Sequence, residues 1–435
     1  MPLHPVTAPS AEPALDPAAA PVPGSVPGSA SVSTAAAVLA RHRAAAGRAW
    51  ERWQGEVIFP YQAAVLRIGF ALVFAAFLLR EWPHRLVLYG PRSAWSGPME
   101  RQFLVSDHAF TLLAWSDSRL WFELVYALAI AVSLALALGW RTRAMSVLFM
   151  VAVLSVQNRA VLVGDGGDNV LHIMAIYLAF TRCGQVWSLD SRRRARREPD
   201  APGATADRPG MLLWALLGAA LLLAQCTGFA TPGMLTASGW GTVLWAFWAL
   251  AAVRRLAARR SAVLDDLLDR LGNLLHGCAL LVIAAETCLI YATAGWYKVQ
   301  GDLWQHGTAL YYPLHLGYFM PWPALSQALA AHPVPVFLLS YGTVVVQVGF
   351  PFLVFHRRIK NLLLVLLVLE HLGIAVLLGL PFFSAAMVAA DLVFLPTWLL
   401  LRLDARIARI GRRRDRPGRP ARAPADRPPL DTLTA

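Results

Sequence analysis

The sequence predicts an all-α protein, a polytopic integral membrane bundle of about ten transmembrane helices with both termini cytoplasmic. Three observations predict it. Of 435 residues, 57% are hydrophobic and 16 are tryptophan, and the mean hydropathy is positive, a composition unlike that of a soluble globular chain. Near-continuous apolar runs of about 20 residues recur, and each is long enough to cross a bilayer as a helix. The formal charge of +13 lies mostly in short links between those runs and in the C-terminal tail. That placement is a topology signal and not the footprint of a nucleic-acid-binding surface.

Residues 1–34 form an Ala/Pro-rich leader without the basic n-region and apolar h-region of a signal peptide, and they read as disordered. Residues 35–54 are amphipathic and arginine-bearing, a helix for the cytoplasmic membrane surface. The transmembrane domain covers residues 55–401, and its first span, Tyr61–Leu79, carries Arg67 inside it. After a polar, aromatic loop come spans two (Trp121–Gly139) and three (Ala144–Val161), joined by Trp140-Arg-Thr-Arg143. The loop Gly164-Asp-Gly-Gly-Asp168 supplies too few ligands for calcium and reads as a turn before span four, Asn169–Thr181. Spans five (Met211–Phe229) and six (Trp240–Val253) lead into an amphipathic connector with Asp265, Asp266 and Asp269. Span seven, Leu274–Trp296, delivers Lys298. Spans eight (Pro335–Phe355), nine (Leu362–Leu380) and ten (Phe382–Leu401) follow, and residues 402–435 form a basic tail read as disordered beyond Gly411.

The positive-inside rule tests this order. Arg141 and Arg143, Arg192–Arg197, Arg254–Arg270 and Arg357–Lys360 all fall in even-to-odd links, and the tail falls on the same side. Links after spans five, seven and nine carry no arginine, whereas the first external loop is an exception with Arg85, Arg92 and Arg101. Lys298 and the aromatic segment after it therefore belong to the outer face.

Lysine occurs only at 298 and 360 in a chain otherwise committed to arginine. A desolvated lysine gives up its proton near neutral pH and arginine does not, so Lys298 is the first candidate for chemistry. The other reading is an interfacial lysine snorkelling from a helix end. Charges inside hydrocarbon are costly and mark either functional sites or interhelical ion pairs. Arg67, His172, Glu286, Glu370-His371 and Asp391 are such positions. Glu286 precedes Lys298 by twelve residues, about 120° round the helix and about 18 Å along it, so the two do not touch and Glu286 is left to extend a polar track or pair with Arg67. No histidine pair has metal-site spacing, and no metal is expected. Cys183, Cys226, Cys278 and Cys288 read as small apolar residues.

Three segments resemble one family in their order. Ala294-Gly-Trp-Tyr-Lys298, followed by Trp304 and Gly307, is similar to A-G-x-x-K…W…G. Trp187-Ser-Leu-Asp190 is similar to W-S-[LV]-D, and His371 with Phe383-Ser-Ala-Ala-Met387 is similar to a late histidine helix and F-S-x-x-M. Across roughly residues 55–400 the chain thereby resembles the horizontally transferred transmembrane domain family, whose best-known member is the vitamin K-dependent gamma-carboxylase. The resemblance implies that Lys298 deprotonates a reduced isoprenoid quinone, with His371, Glu286 and His172 as supporting polar groups and Trp296, Trp304 and Tyr312 beside the cofactor. In the carboxylase the same lysine starts oxygen addition to vitamin K hydroquinone. The strong base that results removes a glutamate γ proton, and carbon dioxide adds. This chain departs from the pattern in two ways: a short basic tail stands where the carboxylase has a large soluble domain, and Met211–Val253 is extra. A second reading is a non-enzymatic membrane partner in the maturation, export or immunity of a secreted peptide. A transporter ranks last, since neither an inverted repeat nor paired broken helices is visible.

Overall fold

The computed structural model describes residues 28–95, 97–196, 207–229 and 239–414. The chain divides into two compact units, Met1–Arg52 and Trp53–Ala435. The first described helix, α1 (Gly28–Gly55), starts inside the stretch read as leader, and residues 1–27 of that leader lie outside the described residues. The described residues contain helices and turns and no strand.

Every expected span coincides with a helix. In order they are α2 (Pro60–Arg80), α3 (Arg119–Leu138), α4 (Thr142–Gln157), α5 (Gly166–Ala179) and α6 (Arg208–Cys226). Then come α7 (Trp240–Arg260), α8 (Ala262–Gln300), α9 (Pro333–Leu353), α10 (Arg357–Leu377) and α11 (Pro381–Asp391). Among the described residues, α2, α3, α6, α8, α9 and α10 are each long and apolar enough to cross a bilayer. α4 has 16 residues and α5 only 14, while the arginines at the end of α7 lower its hydropathy. The amphipathic connector before span seven, opened by Arg254, Arg255, Arg259 and Arg260, is not a separate piece. It is divided between the arginine end of α7 and the first third of the 39-residue α8, which part at Ser261, whose hydroxyl accepts the Leu264 N–H at 3.2 Å.

The tenth span is broken rather than continuous. After α11 and a 3₁₀ turn (Leu392–Phe394), the chain bends by 102° into α12 (Thr397–Arg414). Pro396 causes the break, because it lacks an N–H and forces Leu395 into extended backbone. Carbonyls freed inside a bilayer need new donors. Gln62 Nε2 donates to Leu395 O at 3.0 Å, and Lys360 Nζ to Phe394 O at 2.5 Å. The tail is thus helical as far as Arg414, past the point where disorder was expected, and residues 415–435 lie outside the described residues.

The two sets of links gather at different ends of the second unit. At one end Asp404 accepts from Tyr61 Oη at 3.0 Å and from Trp187 Nε1 at 2.7 Å. Asp190 caps α4 by accepting the Arg141 and Thr142 N–H groups at 2.9 and 2.7 Å, and Arg141 forks onto Asp207. Asp269 joins Arg182 at 2.5 Å to Arg254 at 2.7 Å. At the other end Asn158 donates to Phe110 O, Phe110 packs on Trp240, and Trp115 stacks on Phe229. The Tyr61–Asp404 hydrogen bond puts the start of α2 and the helix after the break at the same end. Of the arginines in the loop expected on the outer side, Arg85 pairs with Glu123 at 2.8 Å and stacks on Trp82.

Between the ends, α2, α3, α4, α5, α8, α10 and α11 share one apolar core that includes Phe70, Phe74, Tyr126, Phe149, Ile283 and Leu367. Arg67 sits at the edge of this core, fully buried. Among the described residues it forms no ion pair, with Glu286 or any other carboxylate. Its guanidinium donates to four carbonyls: Leu136 O at 2.5 Å, Ala137 O and Trp187 O at 2.7 Å, and Cys183 O at 3.2 Å. These include two C-terminal carbonyls of α3, of which Leu136 O also accepts the Gly139 N–H, so one side chain helps to end a helix and holds the Trp187 turn. Asp165 and Asp168 form a reciprocal capping box at the start of α5, the turn that the Gly-Asp loop suggested.

Candidate functional site

Tyr291 and Lys298 lie seven residues apart on α8, on nearly the same face and about 10 Å apart along the axis. Gly295 between them lets α9 approach closely. A Cβ added there would stand 2.7 Å from Val348 Cγ2 and 3.1 Å from the Val348 nitrogen. The neighbouring Gln347 is thereby brought within reach, and Lys298 Nζ donates to Gln347 Oε1 at 2.8 Å. Gln347 Nε2 in turn donates to Glu370 Oε1 at 2.5 Å. An ammonium has only donors and a carboxylate only acceptors, so the amide is oriented from both sides. Its oxygen faces the cation and its nitrogen faces the anion.

Glu370 and His371 are consecutive on α10 and point about 100° apart, so they serve different neighbours. Glu370 turns to α9. His371, only 2% exposed, places Nε2 at 3.0 Å from Tyr291 Oη. The same hydroxyl donates to Asp391 Oδ2 at 3.0 Å, where α11 ends. Phe350 and Phe383 close over the pair, with ring centroids 5.5 Å from Tyr291 and 5.7 Å from His371. Two short polar chains, Lys298–Gln347–Glu370 and His371–Tyr291–Asp391, are therefore joined by the Glu370–His371 peptide. Glu370 Oε2, His371 Nδ1 and Asp391 Oδ1 are buried and without a hydrogen-bond partner among the described residues. Buried polar atoms in a native fold are paired in the great majority, so three orphans in one place mark a site prepared for another polar group.

Lys298 is half-buried, with its Nζ 5.2 Å from the Trp304 ring centroid and 3.4 Å from Ala294 O. On the side of α8 roughly opposite Lys298, an apolar groove of about 510 Å³ runs between α8 and α9, lined by Ala292, Thr293, Trp296, Tyr297, Val348 and Phe352. Of the residues singled out from the sequence, Lys298 and His371 belong to the linked chains, Trp304 covers the amine and Trp296 lines the groove. Tyr312 is exposed and contacts the ring of Tyr311. Glu286 and His172 are half-buried and have no hydrogen bond or ion pair to the described residues. Glu286 lies five residues before Tyr291, about 140° away from the site face.

Sequence reading passed over Gln347, although it is the one amide in a span otherwise made of apolar and small residues. It also passed over Tyr291, whose seven-residue spacing from Lys298 was a usable signal. Asp391 stood out as an intramembrane charge without a partner to give it a role. Among the described residues no group of three His, Cys, Asp or Glu side chains is placed to hold a metal ion.

Gly295→Leu is expected to force α8 and α9 apart and to separate Lys298 from Gln347. Overpacking of this kind costs about 1–3 kcal/mol, readable as a lowered melting temperature of the purified protein in detergent. An unchanged melting temperature would show that the two helices are not in close contact at this point.

The Trp-Ser-Leu-Asp segment lies away from this centre, at the end that carries α12. Trp187 is held at φ 50°, its carbonyl taken by Arg67 and its indole by Asp404, while Asp190 caps α4. Its work is architectural. No protein-family model, curated protein or solved structure matches the chain.

Proposed function

We propose that this membrane protein acts in the manner of the vitamin K-dependent gamma-carboxylase-like proteins, with Lys298 as the base toward a reduced isoprenoid quinone at the outer face of the membrane. The observation that carries the reading is the hydrogen-bonded line from Lys298 through Gln347 to Glu370. A base that gains a proton in low dielectric needs a fixed negative charge to stabilise the ammonium it becomes. Glu370, when ionised, supplies that charge, and Gln347 links it to the amine without a direct ion pair.

The residues present fit such a cofactor. The groove along Trp296, Tyr297, Val348 and Phe352 suits an isoprenoid tail. When bound, the quinol would supply an acidic hydroxyl and two electrons. Lys298 Nζ accepts the proton of a hydroxyl presented at that point, and Trp304 covers the amine. Glu370 Oε2 and His371 Nδ1 offer an acceptor and a ring nitrogen deeper in. The arginine distribution, by the positive-inside rule, puts this chemistry on the outer side and both termini in the cytoplasm.

The test is oxidation of a short-chain ubiquinol by the purified protein in nanodiscs under air, followed by absorbance. Wild-type protein is expected to oxidise quinol faster than empty discs, and Lys298→Ala is expected to abolish the difference. Wild-type activity no greater than that of empty discs would overturn the enzymatic reading in favour of a partner role for a secreted peptide.

A further inference from the structure

The helix beyond the broken span is built differently from the others. Leu399, Leu403 and Ile407 recur at i, i+4 and i+8 and are all exposed, with Leu403 44% and Ile407 46% accessible. Arg402, Arg406 and Arg409 form a second stripe about 90° round from the first. A third direction faces the bundle, where Leu400 is buried and Asp404 takes Tyr61 and Trp187. The 102° bend at Pro396 turns this helix sharply away from the direction of the span before it. An apolar stripe beside a basic one, on a helix turned out of the bundle, is the pattern of a helix lying in a membrane surface. The leucines enter the acyl boundary, and arginines at 90° keep their methylenes at that boundary while the guanidinium groups reach the phosphates.

A second basic element meets the first. The Trp187–Asp404 hydrogen bond at 2.7 Å brings the start of the short helix Leu189–Arg196 against α12. Arg192, Arg193 and Arg196 on it are exposed. None of these three, nor Arg402, Arg406 or Arg409, pairs with an acidic side chain among the described residues. Elsewhere at this end Arg141 pairs with Asp207, and Arg182 and Arg254 with Asp269. Six guanidinium groups without an acidic partner among the described residues, next to an apolar stripe, select a surface that is at once apolar and negative.

We infer that α12 and the Leu189–Arg196 helix together bind anionic phospholipid headgroups, and that this contact holds the Asp404 latch against Tyr61 and Trp187. The latch continues through the Trp187 carbonyl to the buried Arg67, so lipid bound at the surface steadies the helix ends inside. Each arginine at an anionic surface contributes roughly a fivefold factor in affinity, and three contribute on the order of 100-fold.

The experiment is native mass spectrometry of the full chain titrated with phosphatidylglycerol or phosphatidylcholine. Wild-type protein is expected to prefer phosphatidylglycerol. In the triple variant Arg402→Gln, Arg406→Gln, Arg409→Gln the dissociation constant of the tightest phosphatidylglycerol site rises on the order of 100-fold. The corresponding triple Lys variant keeps most of the preference, and each single Gln variant loses about fivefold, which preserves the test if the triple Gln protein does not fold. Equal affinity of wild type for the two lipids, or Gln variants that bind phosphatidylglycerol as wild type does, would overturn the proposal.

Discussion

Arginine at position 298 is expected to remove quinol oxidation while leaving the protein folded. The change keeps the positive charge, keeps a donor for Gln347 Oε1 and keeps a cation near the Trp304 ring, so the contacts that place Lys298 survive in kind. What is lost is the ability to exist as a neutral base, because a guanidinium does not deprotonate in proteins. General-base contributions run at about 10²–10⁴-fold, so turnover should fall by at least about 100-fold while the melting temperature stays close to that of wild type. Oxidation that persists in the arginine variant would leave Lys298 as a positioning cation and would move the search for a base to Glu370 or His371. Gln347→Leu gives the complementary result. It keeps the amine but removes the bridge to Glu370, so turnover should fall even though the base remains.

Arg67→Leu is the substitution expected to damage the fold most. Four carbonyls from three separate segments, Leu136 and Ala137, Cys183, and Trp187, take hydrogen bonds from this one buried guanidinium. A buried acceptor left without a donor costs about 1–3 kcal/mol; Leu136 O keeps the Gly139 N–H, and the three carbonyls left bare together approach the whole stability of a typical domain. The variant should not survive size-exclusion chromatography in mild detergent as a single species. Arg67→Lys should recover only part of the loss, since one ammonium cannot reach four acceptors in a planar fan. A leucine variant that elutes and melts like wild type would show that these carbonyls find other donors.

The helices of this bundle were legible because lipid leaves little choice. Runs such as those of α2 and α10 are apolar between their ends but for Arg67 and the Glu370-His371 pair, and each backbone is satisfied within its own helix. The site was legible only at its ends. Lys298 stood out by rarity and His371 by an unexpected polar residue in hydrocarbon, and both are properties of single positions. Gln347 became meaningful only once α9 was known to lie against Gly295, and Asp391 only once Tyr291 was known to reach it. Glu286 shows the reverse case. Its charge in an apolar run drew notice, yet its direction on α8 carries it away from the site face. The break at Pro396 could be read from the proline itself. The donors that make it tolerable, Gln62 and Lys360, are far away in the chain.

The spacing of Tyr291 from Lys298 sets how far charge can move here. Seven residues of α8 correspond to about 10 Å along the axis, roughly a third of a hydrocarbon core about 30 Å thick. A proton passed between the level of Lys298 and that of His371 therefore crosses about a third of the membrane potential. At 100 mV that amounts to about 0.8 kcal/mol per charge, about a fourfold bias in occupancy. An energised membrane would thus favour one protonation pattern along this short polar line over the other.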